Sequence, residues 1–166
     1  DLGTGSGCIA LSLKNVCPHS HVVGVDISSE AIEIAKKNRS HLGLGVQFLL
    51  CNIIDENPED SYDLVISNPP YIPRSEEGTM ESRVVKHEPD IALFVENDPL
   101  QFYKSILSMC ENGLINSGGV LALECHRDYT LEVSSLLESS EIFEKVVVIT
   151  DLQGESRHVI ARSKVN

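Results

Sequence analysis

The amino-acid sequence predicts an α/β fold built on a mostly parallel sheet. Apolar runs of strand length alternate with segments of helical periodicity along the whole chain, which is the pattern of that fold class. The chain has 166 residues, of which 42% are hydrophobic. This length and apolar content suit one core, so we expect a single domain over residues 1–166.

In the first half, each strand-length run is followed by a residue that turns the chain. Only two residues precede the glycine-rich turn at residues 3–7, so the first strand is largely missing from this chain. Ser28 is the expected N-cap of the second helix and Gly43 its C-terminal stop. The expected elements are a helix from residue 9 to Pro18, strands at 21–26, 46–51 and 62–67, and a helix between Ser28 and Gly43.

The second half begins with a polar segment at residues 72–97, which we expect to be a long loop with at most one short helix. Such loops in compact domains usually serve function. Asp98 and Pro99 are expected to begin a helix that ends near Cys110. Gly118 and Gly119 are expected to turn the chain into a strand over 120–125. A helix at 128–139 and strands at 146–150 and 158–162 complete the expected elements.

The composition excludes several classes of function. With 13 basic and 25 acidic residues the formal net charge is −12, which disfavours contact with a phosphate backbone, so we expect no direct nucleic-acid partner. No run of about 18 apolar residues and no leader pattern is present, so we expect an intracellular protein without a membrane partner. The five cysteines lack metal-ligand spacing, and we expect reduced core thiols and no metal.

The opening D-L-G-T-G-S-G places Gly3, Gly5 and Gly7 between a strand end and a helix start. Glycines there let a ligand pack against the main chain, although an ordinary tight turn would use them too. A dinucleotide fingerprint would need its third glycine at Cys8, so the spacing favours a cofactor made of a nucleoside and an amino acid. Asp26 supports an adenosine ligand because a strand-end carboxylate can bind both ribose hydroxyls, but it could also only cap the next helix.

The segment Asn68-Pro69-Pro70-Tyr71 is the most specific feature of the sequence. The prolines restrict the backbone, so the Asn68 carboxamide and the Pro69 carbonyl are held with little freedom. Two such acceptors match the two donors of a planar NH2 group, and the Tyr71 ring can lie against that group. A proline-rich turn with a surface tyrosine is the alternative interpretation.

Together, these motifs resemble class I methyltransferases that modify planar nitrogens. The order of N-P-P-Y-I-P, H-E-P-D-I-A-L at 87–93, L-E-C at 123–125 and D-L-Q-G-E-S-R at 151–157 is similar to the HemK/PrmC family. The resemblance covers essentially the whole chain. It implies a Rossmann-like fold with a seven-stranded sheet whose final strand is antiparallel. It also implies S-adenosylmethionine as cofactor and, as substrate, the N5 amide of the glutamine in the Gly-Gly-Gln motif of a peptide chain release factor.

The resemblance also implies roles for individual residues. The methionine part of the cofactor would lie on Gly3, Thr4, Gly5, Ser6 and Gly7, its ribose on Asp26, and its adenine near Asn52 and Ile53. The substrate amide would lie on Asn68, Pro69, Pro70 and Tyr71, with Asn68 also near the cofactor and with Asn68, Pro69 and Tyr71 as the catalytic residues. Glu88-Pro89 looks like a loop that closes near the substrate.

This chain departs from the family at several positions. The family often has Asp where this chain has Asn52, so the Asn carbonyl would have to bind the adenine amino group. Its usual aromatic residue is replaced by Ile53, which would weaken stacking on adenine. The ending Cys125-His126 is also uncommon, and the N-terminal helical domain of the family is missing. The chain begins with Asp1, so we expect a fragment that is poorly stable and close to inactive by itself.

Other interpretations of the same motifs stay open at this stage. A nucleic-acid methyltransferase acting on an exocyclic amine would need the same acceptors as a glutamine methyltransferase. A non-catalytic cofactor-binding protein is a third possibility. His87 could act as a general base, although a lone histidine in a polar loop is more often simply solvated. We expect a monomer. We also expect a cytoplasmic location, with the interior of an organelle as the alternative.

Overall fold

In a computed structural model, the chain is described at residues 1–56, 58, 60–69, 72–73, 94–95 and 98–165. It divides into two compact units, one made of Asp1–Pro58 and Ile66–Asn68, the other of Glu59–Val65 and Pro69–Asn166. The first unit contains helices α1 (Cys8–Val16) and α2 (Ser29–Leu42) and strands β1 (Val22–Asp26) and β2 (Val46–Leu50). Strand β3 (Tyr62–Ser67) is divided between the units after Val65.

The second unit contains the remaining elements. A π-helical turn (Cys110–Leu114) and a 3₁₀ turn (Arg127–Tyr129) lie between them. The regular elements are β4 (Ile72–Pro73), β5 (Phe94–Val95), α3 (Gln101–Met109), β6 (Ile115–Glu124), α4 (Thr130–Glu138), β7 (Phe143–Thr150) and β8 (Ser156–Ser163).

The sheet of the first unit is parallel. Strands β1 and β2 pair in register from Val22 opposite Val46 to Asp26 opposite Leu50. Leu2 forms parallel bridges to Val25 on one side and to Ser67, the last residue of β3, on the other. Asp1 and Leu2 therefore occupy the central position that the sequence predicts for the first strand.

Both helices of the first unit pack apolar faces on one cluster with the strands. Phe48 on β2 is 5% exposed and lies against Gly7 and Gly24, where a methyl group would come within 2.8 Å of its ring. The full cluster comprises Ala10, Leu11, Val22, Ile32, Ala35, Val46 and Phe48.

The ends of α2 follow the sequence prediction. The Ser28 hydroxyl accepts a hydrogen bond from the Ala31 N–H at 3.2 Å, and Gly43 ends the helix with φ of +65°. A left-handed residue at a helix end is accessible to glycine without the steric penalty that a Cβ brings. These local signals therefore set the length of α2.

In the second unit the strand order is β3-β6-β8-β7. Strand β8 is antiparallel to both of its neighbours, as expected of the final strand. The core of the second unit is formed by fully or almost fully buried side chains of its strands and helices: Tyr103, Ile106, Leu121, Leu123, Val133, Leu137, Val159 and Ala161.

Several element boundaries differ from the sequence prediction. The sequence predicts that Asp98 caps α3, but Asp98 accepts the Leu100 N–H at 2.9 Å in a turn that precedes the helix, which begins at Gln101. Strand β6 begins at Ile115, before Gly118 and Gly119, which lie inside the strand instead of at its start. Strand β7 also begins earlier, at Phe143. For β7 the earlier start follows from pairing, since Phe143 lies opposite Ser163 of β8.

Most of the long polar segment at 72–97 falls outside the described residues. Within its described part, Ile72–Pro73 and Phe94–Val95 pair as two short parallel strands. The expectation of an unpaired loop is therefore wrong at both ends of the segment.

The cysteines are all free thiols, but only two of them are core residues. Cys110 and Cys125 are buried and Cys51 is half-buried, whereas Cys8 and Cys17 at the two ends of α1 are exposed. The expectation of five core thiols is thus wrong for these two residues, because they lie at the ends of the helix, outside the buried stretch that contains Ala10 and Leu11. In the described part of the chain, no group of His, Cys, Asp and Glu side chains could hold a metal ion. None of the described helices combines the length and the apolar content needed to cross a bilayer.

We predict that Gly24→Ala destabilises the protein by about 1 to 3 kcal/mol, because its Cβ would lie 2.7 Å from the Thr4 hydroxyl and 2.8 Å from the Phe48 ring. Gly45→Ala is the matched control, since its Cβ would meet only the flexible Lys14 side chain at 3.7 Å. Urea unfolding of the two variants measures the difference. Equal stabilities would contradict the packing described around Phe48.

We also predict an order of thiol reactivity. Burial raises the pKa of the Cys110 and Cys125 thiols to about 12, so only about one in ten thousand is a thiolate at pH 8. Labelling with a water-soluble maleimide, located by peptide mass spectrometry, should modify Cys8 and Cys17 in the native protein. Cys110 and Cys125 should react only after denaturation, and their rapid labelling in the native state would show that the core is not packed as described.

Candidate functional site

The candidate site lies where the C-terminal ends of parallel strands meet in the first unit. The main chain connects these ends directly: Val25 N–H donates to the Asp1 carbonyl at 2.9 Å, and Leu2 N–H donates to the Ile66 carbonyl at 2.8 Å. On the outer side, Cys51 N–H donates to the Asp26 carbonyl at 2.9 Å. In open α/β sheets ligands bind at such strand ends. The structure therefore places the glycine turn, Asp26, Asn52 and Asn68 at the ends of neighbouring strands.

The glycine turn is a left-handed backbone segment with open space above it. Gly3, Gly5 and Gly7 have φ of +70°, +54° and +81°, values that other residues rarely adopt. A methyl group added at Gly3 or Gly5 would meet no atom of the described residues within 4 Å. The buried Thr4 ties the turn to β1 through its N–H, which donates to the Val25 carbonyl at 2.8 Å. A ligand can thus reach the main chain of Gly3 and Gly5.

The turn is held from the side of α2 as well. The Asn38 carboxamide donates to the Ser6 carbonyl at 3.0 Å. Ser6 itself is exposed. The sequence interpretation missed Asn38, because a polar residue on a mostly polar helix face carries no signal of a contact with a loop 32 residues away.

Asp26 has two main-chain partners in this arrangement. Its Oδ2 accepts the Gly5 N–H at 2.8 Å and its Oδ1 accepts the Ser28 N–H at 2.9 Å. The capping interpretation of Asp26 is therefore wrong, because Ser28 is the N-cap of α2 and at this helix Asp26 bonds only the main chain of that cap residue. A carboxylate has about four lone-pair positions, so each oxygen keeps capacity for a further donor such as a ribose hydroxyl.

Asp1 is a second acid at the glycine turn, and the sequence interpretation gave it no role. Its Oδ2 accepts the Thr4 hydroxyl at 2.5 Å and the Ala10 N–H at 3.2 Å. Its Oδ1 is buried and has no hydrogen-bond partner among the described residues. A buried acceptor without a donor is unfavourable, and a charged amino group arriving at the turn would supply one. The signal was available, because Asp1 lies two residues before Gly3 at the end of a strand, much as Asp26 lies at the end of β1.

Beyond β2 the chain makes a compact turn over Asn52 to Glu56. The Asn52 carbonyl accepts the N–H groups of Asp55 and Glu56 at 3.1 and 2.8 Å. Ile53 is 7% exposed, so most of its side chain is used in packing. Burial, and then the nearby Glu56 carboxylate, raises the pKa of the Cys51 thiol. Asn52 and Ile53 lie close to the end of β1, because the preceding Cys51 N–H donates to the Asp26 carbonyl.

Asn68 follows the last residue of β3 and is exposed, whereas Pro69 is fully buried. The hydroxyl of the buried Ser67 donates to the Leu2 carbonyl at 2.7 Å, which ties the start of N-P-P-Y to the residue before Gly3. This contact brings the predicted amide-binding residue beside the glycine turn. Pro70, Tyr71, His87, Glu88 and Pro89 lie outside the described residues.

Comparisons with known proteins agree with this arrangement. A family model described as "Methyltransferase domain" matches residues 1–155. The release factor glutamine methyltransferase of Bacteroides thetaiotaomicron is 39% identical over 164 residues, which cover 97% of this chain and 58% of that protein. Three further bacterial proteins with the same name are 34–37% identical, and the chain covers 52–58% of their lengths. The chain thus spans little more than half the length of these relatives.

Solved structures show the same fold at lower identity. A methyltransferase from Pyrococcus furiosus is 20% identical with a TM-score of 0.71, covering 99% of this chain and 74% of that one. The N-methyltransferase NodS from Bradyrhizobium japonicum WM9, in complex with S-adenosyl-L-homocysteine, is 15% identical with a TM-score of 0.60, covering 99% and 75%. These likenesses confirm the expected Rossmann-like class I methyltransferase fold.

Proposed function

Because this chain belongs to the methyltransferase domain family, we propose that it methylates a glutamine side chain with S-adenosylmethionine as methyl donor. The proposed substrate is the N5 amide in the Gly-Gly-Gln motif of a peptide chain release factor. The single observation that carries the proposal is the hydrogen bond from Ser67 to Leu2, because it holds Asn68 beside the glycine turn. The names of the curated relatives support the same substrate.

The residues of the first unit fit S-adenosylmethionine in three respects. The open left-handed backbone at Gly3 and Gly5 can pack against a methionine backbone, and Asp1 Oδ1, which has no partner among the described residues, can accept from its ammonium group. Asp26 can accept from both ribose hydroxyls. Asn52 and Ile53 follow β2 beside the end of β1, since the preceding Cys51 N–H donates to the Asp26 carbonyl, and they could lie against adenine. This donor would supply an electrophilic methyl group on a sulfonium.

The proposed work of Asn68 and Pro69 follows from the weakness of the nucleophile. The lone pair of an amide nitrogen is delocalised into its carbonyl, so the nitrogen must be oriented accurately to react. The Asn68 side-chain oxygen and the Pro69 carbonyl would accept hydrogen bonds from the two N–H groups of the substrate amide. They would thereby direct the nitrogen lone pair towards the methyl group. They would also stabilise the positive charge that develops on nitrogen. The surplus proton becomes acidic after transfer and would leave to water, so no strong base is required.

A nucleic-acid substrate is the alternative, since an exocyclic amine presents the same two donors. The net charge of −12 opposes it, because an acidic protein repels a phosphate backbone. RNA is therefore a necessary second substrate in any assay of the activity.

We predict that Asn68→Ala lowers the rate of release-factor methylation about 100- to 1,000-fold, because one of the two acceptors for the substrate amide is lost. Cofactor affinity should change little, since the carboxamide acts chiefly on the substrate. The measurement uses the full chain, labelled S-adenosylmethionine and mass spectrometry of a release factor, with RNA in a parallel reaction. Asn15→Ala, an exposed asparagine on α1, is the control. Wild-type turnover in Asn68→Ala, or methylation of RNA alone, would overturn the proposal.

For Asp26→Ala we predict a cofactor dissociation constant raised roughly 10- to 100-fold, because charge-assisted hydrogen bonds to the ribose are lost. The Gly5 N–H also loses its acceptor, which loosens the turn in the same direction. The rate at saturating cofactor should change little. Isothermal titration calorimetry with S-adenosylhomocysteine makes the measurement, with the exposed Glu33→Ala on α2 as control. An unchanged affinity would remove the ribose assignment.

A further inference from the structure

Asp55 lies in the turn after β2 and is not among the residues proposed to touch the cofactor. Its Oδ2 accepts a hydrogen bond from the Asn52 side-chain Nδ2 at 2.7 Å. On the other side of the same carboxamide, the Asn52 Oδ1 accepts the Ile54 N–H at 3.2 Å. Asp55 and Asn52 therefore form a linked pair within four residues of chain.

These two contacts determine which way the Asn52 amide faces. A carboxylate can only accept, and a main-chain N–H can only donate, so the amide cannot rotate by 180° without losing both hydrogen bonds. With Asp55 in place, Nδ2 is occupied and Oδ1 keeps one lone pair for a further donor. Without Asp55, only the Ile54 contact would favour this orientation.

The orientation matters because an asparagine side chain at this position has two inequivalent orientations, whereas the two oxygens of an aspartate are equivalent. Both oxygens of an aspartate are acceptors, so either face of the side chain can receive an amino group. An asparagine presents an acceptor on one face and a donor on the other, and the wrong face would place an N–H against the donor of the ligand. A partner that selects the acceptor face is therefore needed.

We propose that Asp55 is a positioning residue that orients the Asn52 carboxamide so that the site accepts the amino group on the adenine of the cofactor. This inference rests on the proposed cofactor function and extends it to the basis of adenine selectivity. Asn52 is well placed for the task, because the residue before it donates its N–H to the carbonyl of Asp26, the proposed ribose acid. Asp55 does not itself touch the cofactor.

The proposed orientation predicts that the site discriminates between two analogues of the cofactor product. S-inosylhomocysteine differs from S-adenosylhomocysteine in that the purine C6 carries a carbonyl in place of the amino group. That carbonyl would face the Asn52 Oδ1, so two acceptors would meet without a donor between them. Mismatches of this kind are rejected more strongly than the loss of apolar contact.

The test measures the dissociation constants of both ligands by calorimetry in the full chain. The wild type should prefer the adenosyl compound. Asp55→Ala should weaken the binding of the adenosyl compound about 3- to 10-fold, which corresponds to the loss of one neutral hydrogen bond. It should weaken the binding of the inosyl compound less, because the Asn52 amide, no longer held by Asp55, can turn its NH2 group towards the C6 carbonyl. The adenosyl preference should therefore fall.

A double substitution tests the contact between residue 52 and the purine amino group, because an aspartate at this position needs no partner to select its acceptor face. Asn52→Asp alone places a second carboxylate beside that of Asp55. The repulsion between them should weaken the binding of both ligands. Asn52→Asp with Asp55→Asn restores the pair with reversed polarity, because the asparagine introduced at position 55 then donates to a residue that offers acceptors only. This variant should recover most of the adenosyl affinity and the full adenosyl preference. Glu56→Ala removes the neighbouring carboxylate, which contacts Cys51 and not Asn52, and should leave the preference unchanged.

The outcomes separate the two proposals. An equal loss of both ligands in Asp55→Ala, with an unchanged preference, would mean that Asp55 merely stabilises the turn and would overturn the inference. Failure of the double substitution to recover the preference would overturn it as well. If the wild type binds neither ligand, the cofactor assignment itself is wrong and the inference falls with it.

Discussion

The main chain of Leu2 forms hydrogen-bonded bridges to two different strands, and the arrangement of the first unit depends on this pairing. On one side it adjoins Val25 of β1, and on the other Ser67 of β3. Buried main-chain donors and acceptors must be paired, so a central strand position brings its neighbours into register with each other. The glycine turn, Asp26 and Asn68 all begin within a few residues of these bridges, which is why they share one end of the sheet.

Carboxylates organise this strand end, although the chain as a whole is strongly acidic. Asp1 contacts the Thr4 hydroxyl and the N–H of Ala10, while Asp26 accepts the N–H groups of Gly5 and Ser28. These partners are main-chain N–H groups and a hydroxyl, not basic side chains. The site can therefore present negative charge to an ammonium group and to ribose hydroxyls while staying unfavourable to phosphate.

The elements that sequence reasoning placed best are those with a residue that ends them locally. Helix α2 begins after Ser28 and ends at Gly43 because a hydroxyl and a left-handed glycine satisfy its free main-chain groups. Strand β3 ends at Ser67, immediately before Asn68 and the two prolines. Where an end depends on a neighbouring strand, the prediction is displaced, as at β7, whose pairing with β8 begins at Phe143 opposite Ser163.

The types of chemistry in the site can be predicted from short stretches of sequence: a glycine turn, an acid at a strand end and an amide acceptor followed by prolines. Each depends on a few consecutive residues whose backbone preferences are intrinsic. How they combine depends on contacts between distant residues, since Ser67 contacts Leu2 across 65 residues and Gly5 contacts Asp26 across 21. Packing also left Asp1 Oδ1 without a partner among the described residues, because whether a polar atom is paired depends on the groups packed around it and not on its neighbours in the chain.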